Sequence, residues 1–264
     1  VGMKIVFTDL DGTLLDYDTY SYAAAKKGLD WLKKQHVPII FCTSKTRKEI
    51  VYWKEELGNT HPFISENGGG IFIPKDYFSF SFDYTKETNL FYLIRFGASF
   101  EKLKKIMNTI EEMFDVTSFL SMSVSELMNE ADLSKKDAER ALKREFDIPF
   151  IMHNQNQKND IINVIKHNDL NIVEGGRFFH LIGENDKGKA VHVLTILFQR
   201  VFDTVETIGI GDSANDFSML KAVDKPYLVM KKDHSFASDA FTQINGIGPF
   251  GWQLVIEKEF SLEK

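Results

Sequence analysis

The chain has 264 residues, 43% hydrophobic and 27% charged, a composition typical of soluble globular proteins with one large or two modest domains. Its net charge of −6 argues against nucleic acid as the main partner, because nucleic-acid binding usually needs a clustered basic face. No apolar run approaches the roughly 18 residues of a membrane span, and the single Cys42 cannot form an intrachain disulfide, so we expect a cytoplasmic protein without membrane contact.

Residues 1–75 alternate between predicted strands and helices. Apolar runs that end in polar residues predict buried strands, and apolar residues at helical spacing predict the helices between them. In chain order, these elements are a strand at Lys4–Thr8, a helix at Tyr20–Gln35, a strand at Val37–Cys42, a helix at Thr46–Leu57 and strands at Phe63–Ile64 and Ile71–Ile73. This order is typical of a parallel sheet that is covered by helices.

The pattern changes near Phe78. The side chains of Phe78, Phe80 and Phe82 alternate with polar residues, which predicts a strand. Further along, the predicted elements are a strand at Asn89–Phe96, helices at Phe100–Phe114, Ser123–Met128 and Ser134–Phe146, and strands at Ile148–Met152, Asn171–Glu174 and Phe178–Ile182. This mixture is typical of an antiparallel α+β module, which we expect at residues 84–184.

The alternating pattern returns after residue 184. The elements predicted there are a helix at Lys187–Phe202, a strand at Thr207–Ile210, a helix at Asn215–Leu220, a strand at Tyr227–Met230 and a helix at Pro249–Phe260. The sequence therefore predicts an α/β fold with a Rossmann-like parallel sheet and helices on both of its faces. Residues 1–83 and 185–264 would form this core, and the α+β module would be inserted between them.

Two carboxylates follow the first predicted strand. Residues 9–14 read D-L-D-G-T-L, so Asp9 and Asp11 lie two residues apart and point the same way. One carboxylate can attack phosphorus while the other moves a proton, which is the division of labour in a covalent phosphatase. Gly12 lets the backbone turn sharply beside a ligand. An ordinary turn capped by aspartate would explain one carboxylate, but not two followed by Gly-Thr.

Two further polar clusters follow predicted strands. Residues 43–46 read T-S-K-T and open a helix, where hydroxyl and backbone N–H groups can hold phosphate, although helix capping explains them equally well. Residues 211–216 read G-D-S-A-N-D, and the carboxylates of Asp212 and Asp216 suit magnesium, which prefers oxygen ligands. A capped Gly-Asp turn is the alternative interpretation of that segment.

A lysine opens the helix that follows residue 184. Asp186 and Lys187 begin the segment D-K-G-K, and a cation at this point can neutralise phosphoryl oxygens and a nearby aspartate. A solvated lysine at a helix start is the alternative. The carboxyl ends of parallel strands form the ligand site of open α/β sheets, so we expect these clusters to meet at one edge of the sheet.

The order of these four segments resembles the motif set of the haloacid dehalogenase superfamily, whose first motif is D-x-D-G-T. The resemblance covers residues 1–75 and 186–222, and it implies that the inserted module is a cap domain. The catalytic residues that it implies are the nucleophile Asp9, the general acid/base Asp11, the phosphate-binding Thr43 and the third-motif lysine Lys187. It also implies a Mg²⁺ cofactor, and the residues that would hold this ion are Asp9, Asp11 through its backbone carbonyl, Asp212 and Asp216.

Three short stretches resemble the mannosyl-3-phosphoglycerate phosphatase family more narrowly. Residues 43–47 read T-S-K-T-R and residues 63–68 read F-I-S-E-N-G, where that family has S-S-K-T-R and F-I-S-E-N-G. Residues 176–180 read G-R-F-F-H and are similar to the family's late-cap G-R-F-Y segment. The departures are Thr43 for serine and Phe179 for tyrosine. The middle of the cap, residues 115–170, does not match.

This resemblance implies a Mg²⁺-dependent phosphatase that converts mannosyl-3-phosphoglycerate to mannosylglycerate, a compatible solute, through a phospho-aspartate. Its partner would be a small phosphorylated molecule that carries a carboxylate and a sugar. Arg177 is the candidate for the carboxylate, because a guanidinium fork matches it in a bidentate way. The other candidate substrate contacts are Ser44, Lys45, Arg47, Glu66, Asn67 and Gly68. His180 is interpreted as a packing or surface residue rather than a catalytic one.

Three alternatives remain open from the sequence. Within the phosphatases, glucosyl-3-phosphoglycerate, sucrose phosphate or another sugar phosphate is the alternative substrate. A phosphomutase would use the same phospho-aspartate but would require a bisphosphate activator. A binding module without catalysis is disfavoured, because Asp9 and Asp11 are both present together with Asp212.

Overall fold

The computed structural model describes residues 2–175 and 177–262, which form a nine-stranded sheet and a four-stranded sheet with helices on their faces. The strands are β1 (Gly2–Thr8), β2 (Ile39–Cys42), β3 (Phe63–Ser65), β4 (Gly70–Pro74), β5 (Lys86–Glu87), β6 (Phe91–Arg95), β7 (Val116–Ser118), β8 (Asp147–Met152), β9 (Asn171–Gly175), β10 (Phe178–Ile182), β11 (Thr204–Gly211), β12 (Lys225–Met230) and β13 (Thr242–Ile247). The α-helices are α1 (Lys26–Lys34), α2 (Arg47–Leu57), α3 (Phe100–Met113), α4 (Val124–Ala131), α5 (Lys135–Ala141), α6 (Lys158–His167), α7 (Lys187–Gln199), α8 (Phe217–Lys221) and α9 (Phe250–Phe260). Within the described ranges, no helix is both long enough and apolar enough to span a bilayer.

The large sheet has the strand order β13-β12-β11-β1-β2-β3-β4-β6-β5. The strands from β13 to β3 pair in parallel, and β4, β6 and β5 continue the sheet with antiparallel pairing. Strand β1 lies inside this sheet and is buried from Ile5 to Thr8, as a strand covered on both faces must be. The α/β class and the parallel core predicted from the sequence are confirmed.

Helices cover both faces of the large sheet. On one face, α1, α2 and α9 contribute the fully buried side chains of Leu32, Ile50 and Trp252. On the other face, α7 and α8 contribute Leu194 and Met219, which are also fully buried. Each such side chain stabilises the fold by roughly 1.5–3 kcal/mol relative to an exposed one. These two layers hold the strand ends in place.

The small sheet, in the order β7-β8-β10-β9, is antiparallel and belongs to the inserted module, which we call the cap. Helices α3 and α6 pack on one face around Phe150, and the α4–α5 pair packs on the other face against Ile151 and Phe178. Consecutive strand residues point to opposite faces, which explains this division. The face that carries α4 and α5 is turned toward the carboxyl ends of the core strands, because its residues line the cavity between core and cap.

The strand pairing extends the core sheet beyond residue 83. Residues 84–95, which the sequence analysis assigned to the cap, contribute β5 and β6, and β6 pairs with β4 over five residue pairs. Edge strands of this kind carry half-polar patterns, which resemble the antiparallel strands of a separate module. We therefore propose that the first core–cap junction lies at residues 96–97 rather than at residues 83–84.

The predicted strand at Phe78–Phe82 is wrong, because this segment makes bends and pairs with no other strand among the described residues. The rings of Phe78 and Phe80 stack 5.2 Å apart, and Phe78 meets Phe198 of α7 edge-on at 5.4 Å. The alternating phenylalanines therefore pack against the α7 face of the core without backbone pairing.

Helix bounds differ from the sequence pattern where side chains bind the backbone. The predicted helix at Ser134–Phe146 ends at Ala141, since the N–H groups of Glu145, Phe146 and Asp147 donate instead to Oε1 of Glu66 at 2.8–3.3 Å. The helix predicted from Tyr20 begins as a short 3₁₀ turn at residue 23, because Tyr20 has a left-handed φ of 59°. Strand β7, helix α6 and strand β13 were not predicted.

Candidate active site

Asp9 lies at the carboxyl end of β1, in the middle of the parallel sheet. Its N–H donates to the carbonyl oxygen of Ile210 in β11 at 3.0 Å. The indole N–H of Trp252 donates to the Thr8 hydroxyl at 3.1 Å, and that hydroxyl donates to the carbonyl oxygen of Asp9 at 2.7 Å. The backbone of Asp9 is therefore held by the neighbouring strand β11 and, through Thr8, by Trp252 of α9, and the residue is 6% exposed.

Asp212 follows β11 and lies next to the loop after β1. The Thr13 hydroxyl lies 3.2 Å from Oδ1 of Asp212, and the Ser213 hydroxyl donates to Oδ2 at 2.9 Å. Gly12 has a φ of 77°, and a Cβ on it would lie only 2.8 Å from Oδ2 of Asp212. The two acidic loops can pack this closely because residue 12 has no side chain.

Lys187 and Asp216 form a buried ion pair beside Asp9. The ammonium of Lys187 lies 2.7 Å from Oδ1 of Asp216 and 3.7 Å from Oδ1 of Asp9. The other oxygen of Asp216, Oδ2, accepts the N–H groups of Asp212 and Ser213 at 3.0 and 3.2 Å. Asp216 therefore fixes both the lysine and the loop that carries Asp212.

The three carboxylates share one ammonium group. Burial, reinforced by the charge of Asp216, raises the pKa of Asp9 well above its usual range. The same two causes raise the pKa of Asp212 to about 7. Burial lowers the pKa of Lys187, but Asp216 and Asp9 outweigh it, so this pKa is raised. A second cation would relieve the mutual repulsion of the acids.

The acids can hold a divalent metal ion. Asp9, Asp212 and Asp216 each place an oxygen within 4.8 Å of the others, and hard cations such as Mg²⁺ prefer oxygen ligands. Neither carboxylate oxygen of Asp9 accepts a hydrogen bond within residues 2–175 and 177–262, so both are available to a cation. Both oxygens of Asp216 are already engaged, which makes it better suited to positioning than to ligation. The donor set fits Mg²⁺.

Asp11 faces the same space from the other side. Its Oδ2 lies 2.9 Å from the ammonium of Lys45, which is also 3.7 Å from Glu49 and lies over the ring of Tyr20. Its Oδ1 is buried and has no hydrogen-bond partner in the described part of the chain. Lys45 thus orients the carboxyl group and leaves Oδ1 free to exchange a proton with a bound molecule.

A cavity between the core and the cap opens onto these groups. On the core side, Asp9, Asp11, Ser44, Lys45 and Asp212 line it. On the cap side, the lining residues are the apolar Phe119, Leu127, Leu133, Ala141 and Phe178 and the polar Arg144, Arg177 and His180. The acidic cluster therefore lies on one side of a chamber whose other side mixes apolar surface with cationic and imidazole groups.

The sequence model of haloacid dehalogenase-like hydrolases matches residues 6–241. The chain belongs to this family. A glucosyl-3-phosphoglycerate/mannosyl-3-phosphoglycerate phosphatase from Methanococcoides burtonii is 44% identical over 259 residues, which cover 96% of this chain and 95% of the relative. A mannosyl-3-phosphoglycerate phosphatase from Pyrococcus horikoshii is 30% identical over 243 residues, 92% of this chain and 97% of the relative. A solved structure from Thermoplasma acidophilum covers all of both chains at 19% identity with a TM-score of 0.69, which shows the same fold.

In this hydrolase, three of the candidate substrate contacts line the cavity: Ser44, Lys45 and Arg177. The guanidinium of Arg177 lies 5.7 Å from the ring of Tyr17 and donates to the carbonyl oxygen of Glu130 at 3.3 Å. Its side chain is exposed, so it lies at the rim of the cavity. Gly176, which precedes it in the family segment, lies outside the described residues.

Thr43 is 1% exposed and lies behind the cavity surface. Its oxygen Oγ1 accepts the N–H of Lys45 at 3.2 Å, and its carbonyl oxygen accepts the N–H of Asn67 at 3.0 Å. It therefore organises the turn that carries Ser44 and Lys45. Its role as the phosphate-binding hydroxyl stays a prediction.

Four other candidate residues lie away from the cavity, and the structure gives each a different environment. Arg47 binds Glu145 of the cap through Nε at 2.9 Å. Asn67 accepts a hydrogen bond from Asn215 at 3.3 Å. The carbonyl oxygen of Gly68 accepts the N–H of Asp186 at 3.2 Å.

The fourth, Glu66, is fully buried and binds the backbone of the cap, so its predicted role as a substrate contact is corrected to a structural one. Burial raises its pKa to about 8, although Arg144 acts in the opposite direction. Glu66 thus joins the core turn to the cap through a buried carboxyl group whose pKa is raised.

Sequence reasoning missed several residues in or beside the cavity. Thr13 and Ser213 orient Asp212, and both lie inside the two acidic motifs, so their hydroxyls could have been assigned from the sequence. Arg144 lines the cavity from the unmatched middle of the cap, where no local motif marks it. His180 was interpreted as packing, but it also lines the cavity. These two residues come together only through the cap fold.

Proposed function

We propose that this hydrolase is a Mg²⁺-dependent phosphatase that releases phosphate from glycosyl-3-phosphoglycerates and produces the corresponding glycosylglycerate. Mannosyl-3-phosphoglycerate is the first substrate to test, and glucosyl-3-phosphoglycerate is the second, because the relative from Methanococcoides burtonii bears both names. The observation that carries the proposal is the arrangement of Asp9, Asp11 and Asp212 around one cavity under the cap, with the buried ammonium of Lys187 3.7 Å from Asp9. The partner is thus a small phosphorylated molecule, and a cytoplasmic location remains a prediction.

Asp9 and Asp212 would hold Mg²⁺, together with the backbone carbonyl of Asp11, and Asp216 would orient this set. When bound, Mg²⁺ polarises the phosphoryl group and neutralises its charge. Lys187, 3.7 Å from Asp9, supplies a fixed positive charge at the same place. Positioning and charge neutralisation are the main requirements of phosphoryl transfer.

In the first half-reaction, an oxygen of Asp9 attacks phosphorus and the bond from phosphorus to the glycerate oxygen breaks. Asp11 donates its proton to that leaving oxygen. In the second half-reaction, Oδ1 of Asp11 takes a proton from water as the water oxygen attacks phosphorus. The bond to Asp9 then breaks, phosphate leaves, and Asp11 carries a proton again.

The cap would exclude bulk water while the phospho-aspartate exists. Its apolar lining residues Phe119, Leu127 and Phe178 face the chamber opposite the acids. Such a surface can pack against a sugar ring and also lowers the amount of water near the reacting groups. Ser44, Lys45 and Arg177 are the proposed polar contacts to the substrate.

The test is phosphate release from a panel of mannosyl-3-phosphoglycerate, glucosyl-3-phosphoglycerate, 3-phosphoglycerate and a simple sugar phosphate. We expect the highest kcat/KM for a glycosyl-3-phosphoglycerate, loss of activity with EDTA and recovery with Mg²⁺. Equal or higher rates with the simple sugar phosphate would overturn the substrate assignment. Activity that survives complete removal of divalent cations would overturn the metal assignment.

A further inference from the structure

The cavity contains a polar pair that the phosphoryl-transfer steps do not use. Arg144 follows α5 and His180 lies in β10, and their side chains are only 5% and 7% exposed. They are joined by Asp147, which is fully buried. One carboxylate oxygen of Asp147 accepts Nε of Arg144 at 2.6 Å, and the other lies 3.0 Å from Nδ1 of His180. A single aspartate thus sets the orientation of both side chains.

The pair is also fixed to the core. Nη2 of Arg144 donates to the carbonyl oxygen of Ser44 at 2.9 Å, in the loop that follows β2. Glu66 of the core accepts the N–H groups of Phe146 and Asp147, which hold the backbone next to Arg144. A side chain held by groups from two domains loses little further freedom on binding a ligand, which favours affinity.

Each member of the pair has one nitrogen that remains available to a molecule in the cavity. Nη1 of Arg144 lies 3.9 Å from Glu49 and makes no hydrogen bond among the residues that the structure describes. The second ring nitrogen of His180, Nε2, lies on the side of Gly175, which also lines the cavity: a Cβ on Gly175 would be 3.5 Å away from it. Nη1 of Arg144 can donate to one oxygen of a carboxylate. Because Nδ1 of His180 faces Asp147, Nε2 can donate to the other oxygen when the imidazole carries both protons.

A chain of ion pairs connects Asp11 to Arg144 along the cavity wall. Lys45 contacts both Asp11 and Glu49, and Glu49 in turn lies beside Arg144. Arg144 is therefore linked to Asp11 through Glu49 and Lys45, and all four side chains line the same cavity. In a 3-phosphoglycerate, the carboxyl carbon lies two carbon–carbon bonds from the carbon that bears the phosphate.

We propose that Arg144 and His180, held together by Asp147, bind the carboxylate of the substrate and make the enzyme selective for phosphoglycerate esters. This inference rests on the proposed function and deepens it. It assigns to the buried pair the carboxylate that the sequence had attributed to Arg177. Arg177 is exposed and rests on Tyr17 at the rim, where water competes for its guanidinium.

The test compares mannosyl-3-phosphoglycerate with its carboxamide, which keeps the phosphate and the sugar but has no negative charge at the carboxyl carbon. We expect the wild-type enzyme to prefer the carboxylate in kcat/KM, and the variants Arg144→Lys and His180→Gln to lose roughly 10- to 100-fold of that preference. Arg140→Lys is the matched control. Arg140 is also in the cap and binds an aspartate at 2.7 Å, but it packs on Tyr52 outside the cavity, so the preference should stay as in the wild type.

Turnover of p-nitrophenyl phosphate, which has no carboxylate, reports whether each variant keeps an intact core. If Arg144→Lys does not fold, the test relies on His180→Gln, since this variant leaves the ion pair between Arg144 and Asp147 in place. A carboxylate preference retained by an active Arg144→Lys or His180→Gln enzyme, or lost instead in Arg177→Gln, would overturn this inference alone. A wild-type enzyme that hydrolyses simple sugar phosphates as fast as the glycosyl phosphoglycerate would refute the proposed function instead.

Discussion

Gly12 illustrates how little space separates the two acidic loops. Its φ is left-handed, and a Cβ at this position would come so close to Asp212 that any side chain must move the carboxylate or the loop. Since Thr13 and Ser213 both bind that carboxylate, a shift there would be transmitted to the whole metal site. Gly12 has no side chain that could react or bind, yet it controls the position of the carboxylate of Asp212.

Gly12→Ala should lower kcat by at least about tenfold and lower the free energy of unfolding by roughly 1–3 kcal/mol, because it adds strain and displaces Asp212. The measurements are steady-state phosphate release and urea unfolding. Gly58→Ala is the matched control. Gly58 also has a left-handed φ, of 60°, but it ends α2, and the nearest obstacle is the flexible end of Lys33. We expect that control to lose stability and keep its kcat; equal losses of kcat in both variants would contradict this role of Gly12.

At the residue scale, the sequence predicted the catalytic residues best where they lie in short contiguous motifs. Asp9, Asp11 and Asp212 each follow a strand of the parallel sheet, and the structure brings them together with Lys187. Arg144 and His180 could not be found in this way. They lie 36 residues apart in the chain, and only the pairing of β8 with β10 places Asp147 between them.

At the scale of elements, buried parallel strands were easier to predict than edge elements. Strands β1, β2 and β11 each contain a buried run toward their carboxyl ends, I-V-F, I-I-F-C and I-G-I-G, because both faces of the sheet are covered there. The segment at Phe78–Phe82 has the alternation of a strand, yet its rings pack on α7 without a partner strand. Hydrophobic periodicity reports which side chains are buried, and it does not report which backbone groups pair.

The turn at Glu66 joins core and cap through the buried carboxyl group of this residue. The protonation of that carboxyl group should change the free energy of unfolding. Its pKa is about 8 in the fold and about 4.5 in an unfolded chain, so the native state keeps a proton that the unfolded state releases between these pH values. The free energy of unfolding therefore falls as the pH rises through this window, and the contribution of Glu66 is fully present only below about pH 4.5.

Glu66→Gln should remove this dependence, because the amide cannot ionise and keeps an oxygen for the cap N–H groups. We expect similar melting temperatures for variant and wild type at pH 5, and at pH 9 an advantage for the variant of about 1 kcal/mol or more, roughly 2–4 °C. Glu56→Gln, on the exposed side of α2, controls for the change in net charge. A difference between Glu66→Gln and wild type that stays constant from pH 5 to pH 9 would argue against a protonated Glu66.

At the scale of the whole molecule, the core is a twisted sheet covered by helices, and polar contacts join the cap to it at a few buried or half-buried points. These points are Thr46 with Arg140, Arg47 with Glu145, Ser44 with Arg144, and Glu66 with the backbone that follows α5. The parallel topology could be predicted because it repeats a local pattern. The docking of the cap could not, since it depends on contacts between residues about 80–100 positions apart.

The acidic cluster leaves the metal-free molecule with a repulsion that a divalent cation should remove. We expect Mg²⁺ to raise the melting temperature, with a gain of about 2.7 kcal/mol when its concentration is 100 times its Kd. Asp212→Asn should melt higher than wild type without metal and should lose most of the gain with Mg²⁺. The measurement is thermal unfolding with EDTA or Mg²⁺ at constant ionic strength, and an undiminished gain in Asp212→Asn would contradict the assignment of this site.

The most direct measurement is to trap the phosphoryl group on the enzyme during turnover of mannosyl-3-phosphoglycerate. After rapid acid quenching, reduction of an acyl phosphate with borohydride converts the modified aspartate to homoserine, which peptide mass spectrometry can locate. We expect homoserine at position 9 in the wild-type enzyme only when substrate and Mg²⁺ are both present, and we expect neither homoserine nor turnover in Asp9→Asn. Homoserine at another aspartate, or normal phosphate release by Asp9→Asn, would contradict the assignment of Asp9 as the nucleophile.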